Sequence, residues 1–141
     1  MSIQKLQEQI RSRKTPVALG LGASAEQMNA KILKNFTDMY GEGFMAQCEA
    51  ARYMGCQALD AAADKLPAVM LDAESYLRYG MMGYDVLINL AGIAKNRGMY
   101  VILDCRTANA APWLSGVSSA AGITVNPYLC LSYTSPSPRD S

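Results

Sequence analysis

The segment MYVILDCRTANA, residues 99–110, carries the clearest strand pattern of the chain. Its first seven residues are apolar apart from Asp104, and a continuous apolar run is typical of a strand buried on both faces. An ionised aspartate at the end of such a run costs free energy unless a neighbouring group compensates it. Arg106 follows two residues later, so the two side chains share one face of an extended chain. The residue types alone favour a structural ion pair between Asp104 and Arg106.

Three other apolar runs are strand candidates, at residues 15–22, 66–71 and 123–126. Helical patterns separate the strands. They cover residues 3–13, 24–41, 44–65, a stretch that begins at 75 or 84 and ends at 97, and residues 110–120. The second of these patterns is ambiguous and the last is weak. Strands that alternate with helices predict βαβ units and a parallel sheet. The expected fold is therefore α/β with about four parallel strands and intervening helices, either an open doubly wound sheet or part of a (β/α)8 barrel.

The composition excludes several classes of partner. The chain has 141 residues, half of them apolar, and a formal net charge of +1 with no basic block. A single globular domain is expected, with no nucleic-acid partner. No apolar run is long enough to cross a bilayer, and no apolar stretch follows the polar N-terminus as a secretory signal requires, so no membrane association is expected.

The arrangement of the cysteines and the absence of histidine limit the kinds of metal site and catalytic site that this chain can form. The four cysteines form no C-x-x-C pair, and the chain has no histidine. No metal site is therefore expected, and catalysis by Ser-His-Asp or Cys-His groups is excluded. Reduced thiols in a cytoplasmic protein are the expected state. The nearest glycine-rich motif, GLGAS at residues 20–24, lacks the third glycine of a dinucleotide-binding loop, so no cofactor is predicted.

Four blocks of sequence together resemble the long bacterial form of orotidine 5'-phosphate decarboxylase. In order they are KTPVALGLG, LPAVMLDAESYLRYGMMG, AKNRGMYVILDCRTANA and GITVNPYL. The resemblance covers about residues 3–129 and implies the N-terminal half of a (β/α)8 TIM barrel. It also implies a carboxy-lyase that converts orotidine 5'-phosphate to UMP and CO2 in de novo pyrimidine biosynthesis, without a cofactor. The implied partner is a nucleotide-like small molecule, orotidine or uridine 5'-phosphate.

The resemblance implies the site residues and shows that most of them are changed. The family's third strand carries Asp-x-Lys-x-x-Asp, which here becomes Asp104, Arg106 and Asn109 as the implied catalytic positions. The implied substrate-binding positions are Gly22, where the family has aspartate, Met70, where it has lysine, and Asn126 at the end of the fourth strand. Only Asp104 of the family's Lys-Asp-Lys-Asp network is unchanged.

These changes predict impaired or absent activity. Loss of CO2 from C6 of the orotate ring leaves electron density on a carbon, which the family stabilises and protonates with a lysine ammonium group. Arg106 is a poor proton donor, because the pKa of arginine exceeds that of lysine by roughly two to three units. Met70 and Asn109 remove one cation and one anion, so Asp104 and Arg106 still balance. The balanced loss indicates a fold that is retained after the reaction is lost.

Three functions remain open at this point. The first is a decarboxylase that uses Arg106 as a substitute cation. The second is a non-catalytic homologue that binds a nucleotide or a protein partner through the old pocket. The third is a fragment of a longer protein.

The C-terminal residues 130–141, CLSYTSPSPRDS, have an abrupt Ser/Pro content and resemble the translation of a sequencing adapter. They are interpreted as a non-native or disordered tail, with residues 1–129 as the half-barrel domain and the natural protein expected to continue beyond Leu129. Four strands cannot close an eight-stranded barrel. The polypeptide is therefore expected to be marginally stable, to associate, for example as a homodimer, or to belong to a longer protein.

Overall fold

A computed structural model describes residues 3–24, 26, 28–105, 114, 120 and 122–125. Five helices and four strands lie along these residues. The helices are α1 (Ile3–Arg13), α2 (Ala30–Tyr40), α3 (Phe44–Ala62), α4 (Ala73–Leu77) and α5 (Met81–Asn96). The strands are β1 (Ala18–Leu21), β2 (Ala68–Asp72), β3 (Tyr100–Cys105) and β4 (Gly122–Val125). None of the helices in the described ranges combines the length and apolarity that crossing a bilayer requires.

The four strands form one parallel sheet in the order β1-β2-β3-β4. The prediction of an α/β fold with four parallel strands is confirmed. Each strand is added to the same side of the preceding one, whereas a doubly wound sheet reverses its strand order at a switch point. The sheet therefore winds in the manner of a barrel. It is not closed, because within the described ranges β1 and β4 each pair with one neighbour.

The two faces of the sheet differ in burial. Val69, Leu71, Val101 and Leu103 point to the outer face, where they are fully buried in the helix-covered core. Because side chains alternate along a strand, Met70 and Ile102 point to the opposite, inner face. Met70 is 36% exposed there. The expectation that the strands are buried on both faces is thus wrong for part of the inner face, because no strands of a closed barrel lie opposite it among the described residues.

Helix α2 begins later than the sequence pattern indicates. The pattern allowed a helix from residue 24, but α2 begins at Ala30, because Asn29 is its N-cap. The Asn29 side chain accepts hydrogen bonds from the amides of Lys31 and Ile32, at 2.9 and 3.3 Å. Residues 22–24 begin the connection that leads away from the end of β1. That connection matters for the site, since it carries Gly22 and Ala23.

The helical pattern between residues 75 and 97 is two helices rather than one. Gly80 separates α4 from α5 and adopts a positive φ of 70°, which glycine accepts without strain. Gly83 then allows the two helices to touch, because a Cβ atom at this position would clash with the backbone carbonyl oxygen of Tyr76. The tight turn places α4 directly above the end of β2.

We expect Gly83→Ala to lower the free energy of unfolding by at least about 3 kcal/mol, since the methyl group meets backbone that cannot move aside. The matched control is Gly20→Ala on β1, where no atom lies within 4 Å of the added Cβ. That variant should be within about 1 kcal/mol of the parent. Urea unfolding followed by circular dichroism measures both. Equal stability of the two variants would contradict the close approach of α4 and α5.

Candidate functional site

A cavity of about 460 Å³ lies where the strands β1, β2 and β3 end. The strands contribute Gly20, Met70 and Asp104 to the lining. Gly22, which follows directly after β1, also lines the cavity. A stripe of small and flexible side chains on α3 forms a further wall, from Ala51 to Ala58. The carboxyl ends of parallel strands are the usual location of ligand sites in α/β proteins, and the volume lies in the range of small-molecule pockets.

Two carboxylates stand side by side in this cavity. Asp72 and Asp104 are direct partners in the register of β2 and β3, and both line the cavity. Adjacent strands are about 4.8 Å apart, so the two side chains leave neighbouring backbones on the same face. Both residues are partly buried. The described part of the cavity therefore carries two carboxyl groups on one side and apolar side chains on the other.

Tyr76 of α4 completes the wall above Asp72. Its side chain is buried, and burial raises the pKa of the Tyr76 phenol, with a smaller contribution from the charge of Asp72. The phenol is thus protonated and neutral near pH 7. It is also a weaker acid than an exposed tyrosine.

A set of three hydrogen bonds, here called the Ala23 clamp, holds the ends of β1 and β2 together. The Ser75 hydroxyl accepts from the Ala23 amide at 2.9 Å and donates to the Asp72 carbonyl at 2.6 Å. The Tyr79 hydroxyl donates to the Ala23 carbonyl at 2.7 Å. Ser75 and Tyr79 are both buried, so water cannot replace these bonds easily. The clamp fixes Gly22 and Asp72 relative to each other across the cavity.

An aromatic contact supports the clamp from outside. The rings of Phe44 and Tyr79 pack edge to face with their centroids 5.0 Å apart. Burial raises the pKa of Tyr79, so its hydroxyl keeps the proton that it donates to Ala23. The contact connects the first residue of α3 to the mouth of the cavity.

The described cysteines show no sign of reactivity. Cys48 and Cys56 are free thiols. Burial raises the pKa of Cys48 and of Cys56, which disfavours the reactive thiolate. The Cys105 thiol donates to the Glu74 carboxylate at 3.7 Å. Within the described ranges, no group of three or more Cys, Asp or Glu side chains is arranged to hold a metal ion.

The structure brings three of the six predicted site residues to one cavity. Gly22, Met70 and Asp104 come from three different strand ends, and all three line it. The other three, Arg106, Asn109 and Asn126, lie outside the described residues. The ion pair between Asp104 and Arg106, the roles assigned to all six residues and the nature of the tail at 130–141 therefore stay predictions.

Two residues of the cavity were missed by the sequence interpretation. Asp72 was placed after a strand that was expected to end at residue 71, but β2 ends at Asp72 itself. The signal was present, since Asp72 follows Met70 by two residues and shares its face. No site role was predicted for Tyr76, because a tyrosine in a helical pattern carries no local mark of a cavity. Only the position of α4 above β2 reveals it.

A scan of protein-family models finds no match for this chain, and a search of curated proteins finds none. Solved structures of similar fold do exist. A protein of Streptomyces avermitilis, ascribed to orotidine 5'-phosphate decarboxylase, aligns with 92% of this chain at a TM-score of 0.64 and 17% identity. A protein of Toxoplasma gondii, ascribed to orotidine-monophosphate decarboxylase, aligns with 92% at a TM-score of 0.66 and 15% identity.

The likeness to these two structures concerns the fold. It confirms the partial TIM barrel that the sequence predicted, with a sheet that is not closed. This chain covers 45% and 44% of the two proteins, so it spans less than half of their length. At 15–17% identity, the likeness does not show that this chain shares the activity of the neighbours.

We expect Tyr79→Phe to lower the free energy of unfolding by about 1–3 kcal/mol, because it leaves the buried Ala23 carbonyl without its donor. Tyr53→Phe is the matched control, since the Tyr53 hydroxyl accepts a bond from Gln57 on the exposed surface. The control should change stability by no more than about 0.5 kcal/mol. Denaturant unfolding measures both variants. The clamp would be refuted if Tyr79→Phe proved no more costly than Tyr53→Phe.

Proposed function

We propose that this chain carries a pyrimidine-nucleotide site of the orotidine 5'-phosphate decarboxylase type that binds its ligand without decarboxylating it. One observation carries the proposal. Met70 faces the cavity from the inner side of β2, on the same face as Asp72 and Asp104. This is a substrate-binding position at which the resemblance implies one of the two lysines of the Lys-Asp-Lys-Asp network. A thioether therefore stands where the family has an ammonium group.

The cavity chemistry supports the loss of turnover. Decarboxylation at C6 needs a positive charge close to the developing carbanion and a proton that the same group can deliver. None of the described residues that line the cavity carries a cationic side chain. Tyr76 holds a proton there, but its raised pKa makes it a weaker acid. The described walls thus lack both the charge and an effective donor.

The same walls set a preference among pyrimidine nucleotides. The described lining offers the carboxylate of orotidine 5'-phosphate no cationic side chain to bind, whereas uridine 5'-monophosphate carries no such carboxylate. The proposed site therefore favours uridine 5'-monophosphate over orotidine 5'-phosphate. The retained α/β half-barrel and the position of the cavity at the strand ends agree with a binding role for the site.

We expect the purified chain to form no uridine 5'-monophosphate from orotidine 5'-phosphate. Chromatography of long incubations at high protein concentration measures the product, and the Asp104→Ala protein supplies the background. The two proteins should be indistinguishable, because none of the described residues that line the cavity supplies an ammonium group to the reaction. Product formation by the parent chain that disappears in Asp104→Ala would contradict the proposal.

We expect Met70→Lys to lower the dissociation constant for orotidine 5'-phosphate about tenfold, or about 1.4 kcal/mol, because it places an ammonium group beside the ligand carboxylate. The matched control is Met81→Lys at the start of α5. Met81 is 81% exposed and is not among the cavity residues. It should leave the dissociation constant unchanged. Nuclear magnetic resonance titration measures both, and an equal effect of the two substitutions would place the ligand elsewhere on the surface.

A further inference from the structure

Tyr76 carries a buried hydroxyl group for which the described residues offer no partner. The residue is 1% exposed, and among the described residues no group forms a hydrogen bond with its hydroxyl. The oxygen is not one of the side-chain atoms that lack both solvent contact and a partner. It therefore keeps contact with the cavity that Tyr76 lines.

Tyr79, three residues further along the chain, shows what a buried tyrosine hydroxyl usually does. It donates a hydrogen bond to the Ala23 carbonyl at 2.7 Å and so stabilises the fold. A buried hydroxyl without a partner costs free energy, whereas a phenylalanine fills the same space without that cost. The described fold therefore gives no reason for a hydroxyl at Tyr76, and the cavity is the place where a partner can bind to it.

The Tyr76 hydroxyl is a neutral hydrogen-bond donor. Burial raises the pKa of its phenol, and the charge of Asp72 raises it further. The group therefore keeps its proton and presents an uncharged O–H near pH 7. Such a donor binds a carbonyl oxygen well, but it gives a phosphate group no compensating charge. The chemistry of the group thus favours an uncharged acceptor on a ligand.

The α3 wall of the same cavity consists of small or flexible apolar residues. They are Ala51, Met54, Gly55 and Ala58. None of the described residues in the cavity lining is cationic, so these walls offer a phosphate group no ion pair. A heteroaromatic ring has apolar faces that can lie against small side chains and a polar edge that can reach a single donor. The described walls therefore suit the base of a nucleotide better than its phosphate.

We propose that the Tyr76 hydroxyl donates a hydrogen bond to a ring carbonyl of the pyrimidine and thereby determines which bases the site accepts. The inference rests on the proposed function, since it requires a pyrimidine nucleotide in the cavity. A ring that presents a weaker acceptor at this position leaves the buried phenol without a full partner. A site that is built to bond a polar group discriminates strongly against ligands that lack it. Tyr76 is therefore a specificity-determining residue of the site.

The first experiment measures urea unfolding in the absence of any nucleotide. Tyr76→Phe should leave the unfolding midpoint unchanged or raise it, because it removes a hydroxyl that has no described partner. Tyr79→Phe should lower the midpoint, because it removes the bond to the Ala23 carbonyl. A loss in Tyr76→Phe as large as the loss in Tyr79→Phe would overturn the inference, since the Tyr76 hydroxyl would then serve the fold.

The second experiment measures calorimetric binding of uridine 5'-monophosphate and its 2-thio and 4-thio analogues, in which a weaker acceptor replaces one carbonyl oxygen. One of the two analogues should bind the parent chain about three- to tenfold more weakly than uridine 5'-monophosphate, as expected for one hydrogen bond. In Tyr76→Phe, uridine 5'-monophosphate should itself bind about three- to tenfold more weakly, and the same analogue should lose nothing further. The matched control is Tyr100→Phe, since Tyr100 is buried but is not among the cavity residues. It should keep all three affinities of the parent.

The binding outcomes separate this inference from the proposed function. Discrimination against one analogue that disappears in Tyr76→Phe supports the inference. It is overturned, while the proposed function stands, if the parent binds all three nucleotides equally or if Tyr76→Phe behaves as the parent does. Weaker binding to Tyr76→Phe with unchanged discrimination also overturns it, because the hydroxyl would then bond to the ribose or the phosphate. A parent chain that binds no uridine 5'-monophosphate overturns both.

Discussion

The parallel pairing of β2 with β3 is the constraint on which the remaining structure depends. Its register sets Val69 beside Val101 and Leu71 beside Leu103 on the outer face, where the helices bury them. The same register sets Met70 beside Ile102 and Asp72 beside Asp104 on the inner face. A shift by one residue would exchange the two sets and expose the core. The burial of four aliphatic side chains therefore also determines which side chains reach the cavity.

Much of the fold could be predicted from the sequence, because it depends on local patterns. The apolar runs at β2 and β3 stand out from their polar and glycine-rich surroundings, and their alternation with helices implies a parallel sheet. The first and last residues of the helices were harder to predict. The start of α2 depends on the side-chain cap at Asn29, and the division of α4 from α5 depends on the backbone conformation of Gly80. Each of these two boundaries is set by a single residue, whereas a periodic pattern is recognised only over many residues.

The candidate site could be predicted only in part. Strand ends are recognisable in a sequence, so Met70 and Asp104 were found, and the resemblance supplied Gly22. Asp72 was not found, because β2 was expected to end one residue before it, and Tyr76 was not found, because its contribution depends on how α4 sits above β2. That position comes from the Ala23 clamp, a contact between residues 52 and 56 positions apart in the chain. No pattern within one segment reports such a contact.

The contacts of Arg52 affect the order in which the elements unfold. Its guanidinium group binds Asn89 and Asp85 on α5 at 2.8 and 2.9 Å, while it also contacts Glu49 on its own helix at 3.4 Å. The planar guanidinium group can donate hydrogen bonds to these three side chains at the same time, and the ammonium group of a lysine could not. Thermal fluctuations that lift α3 off α5 must break the contacts of Arg52 to Asn89 and to Asp85 together. The two helices should thus melt as one cooperative block, while β1, packed at the border of the sheet, is free to detach first.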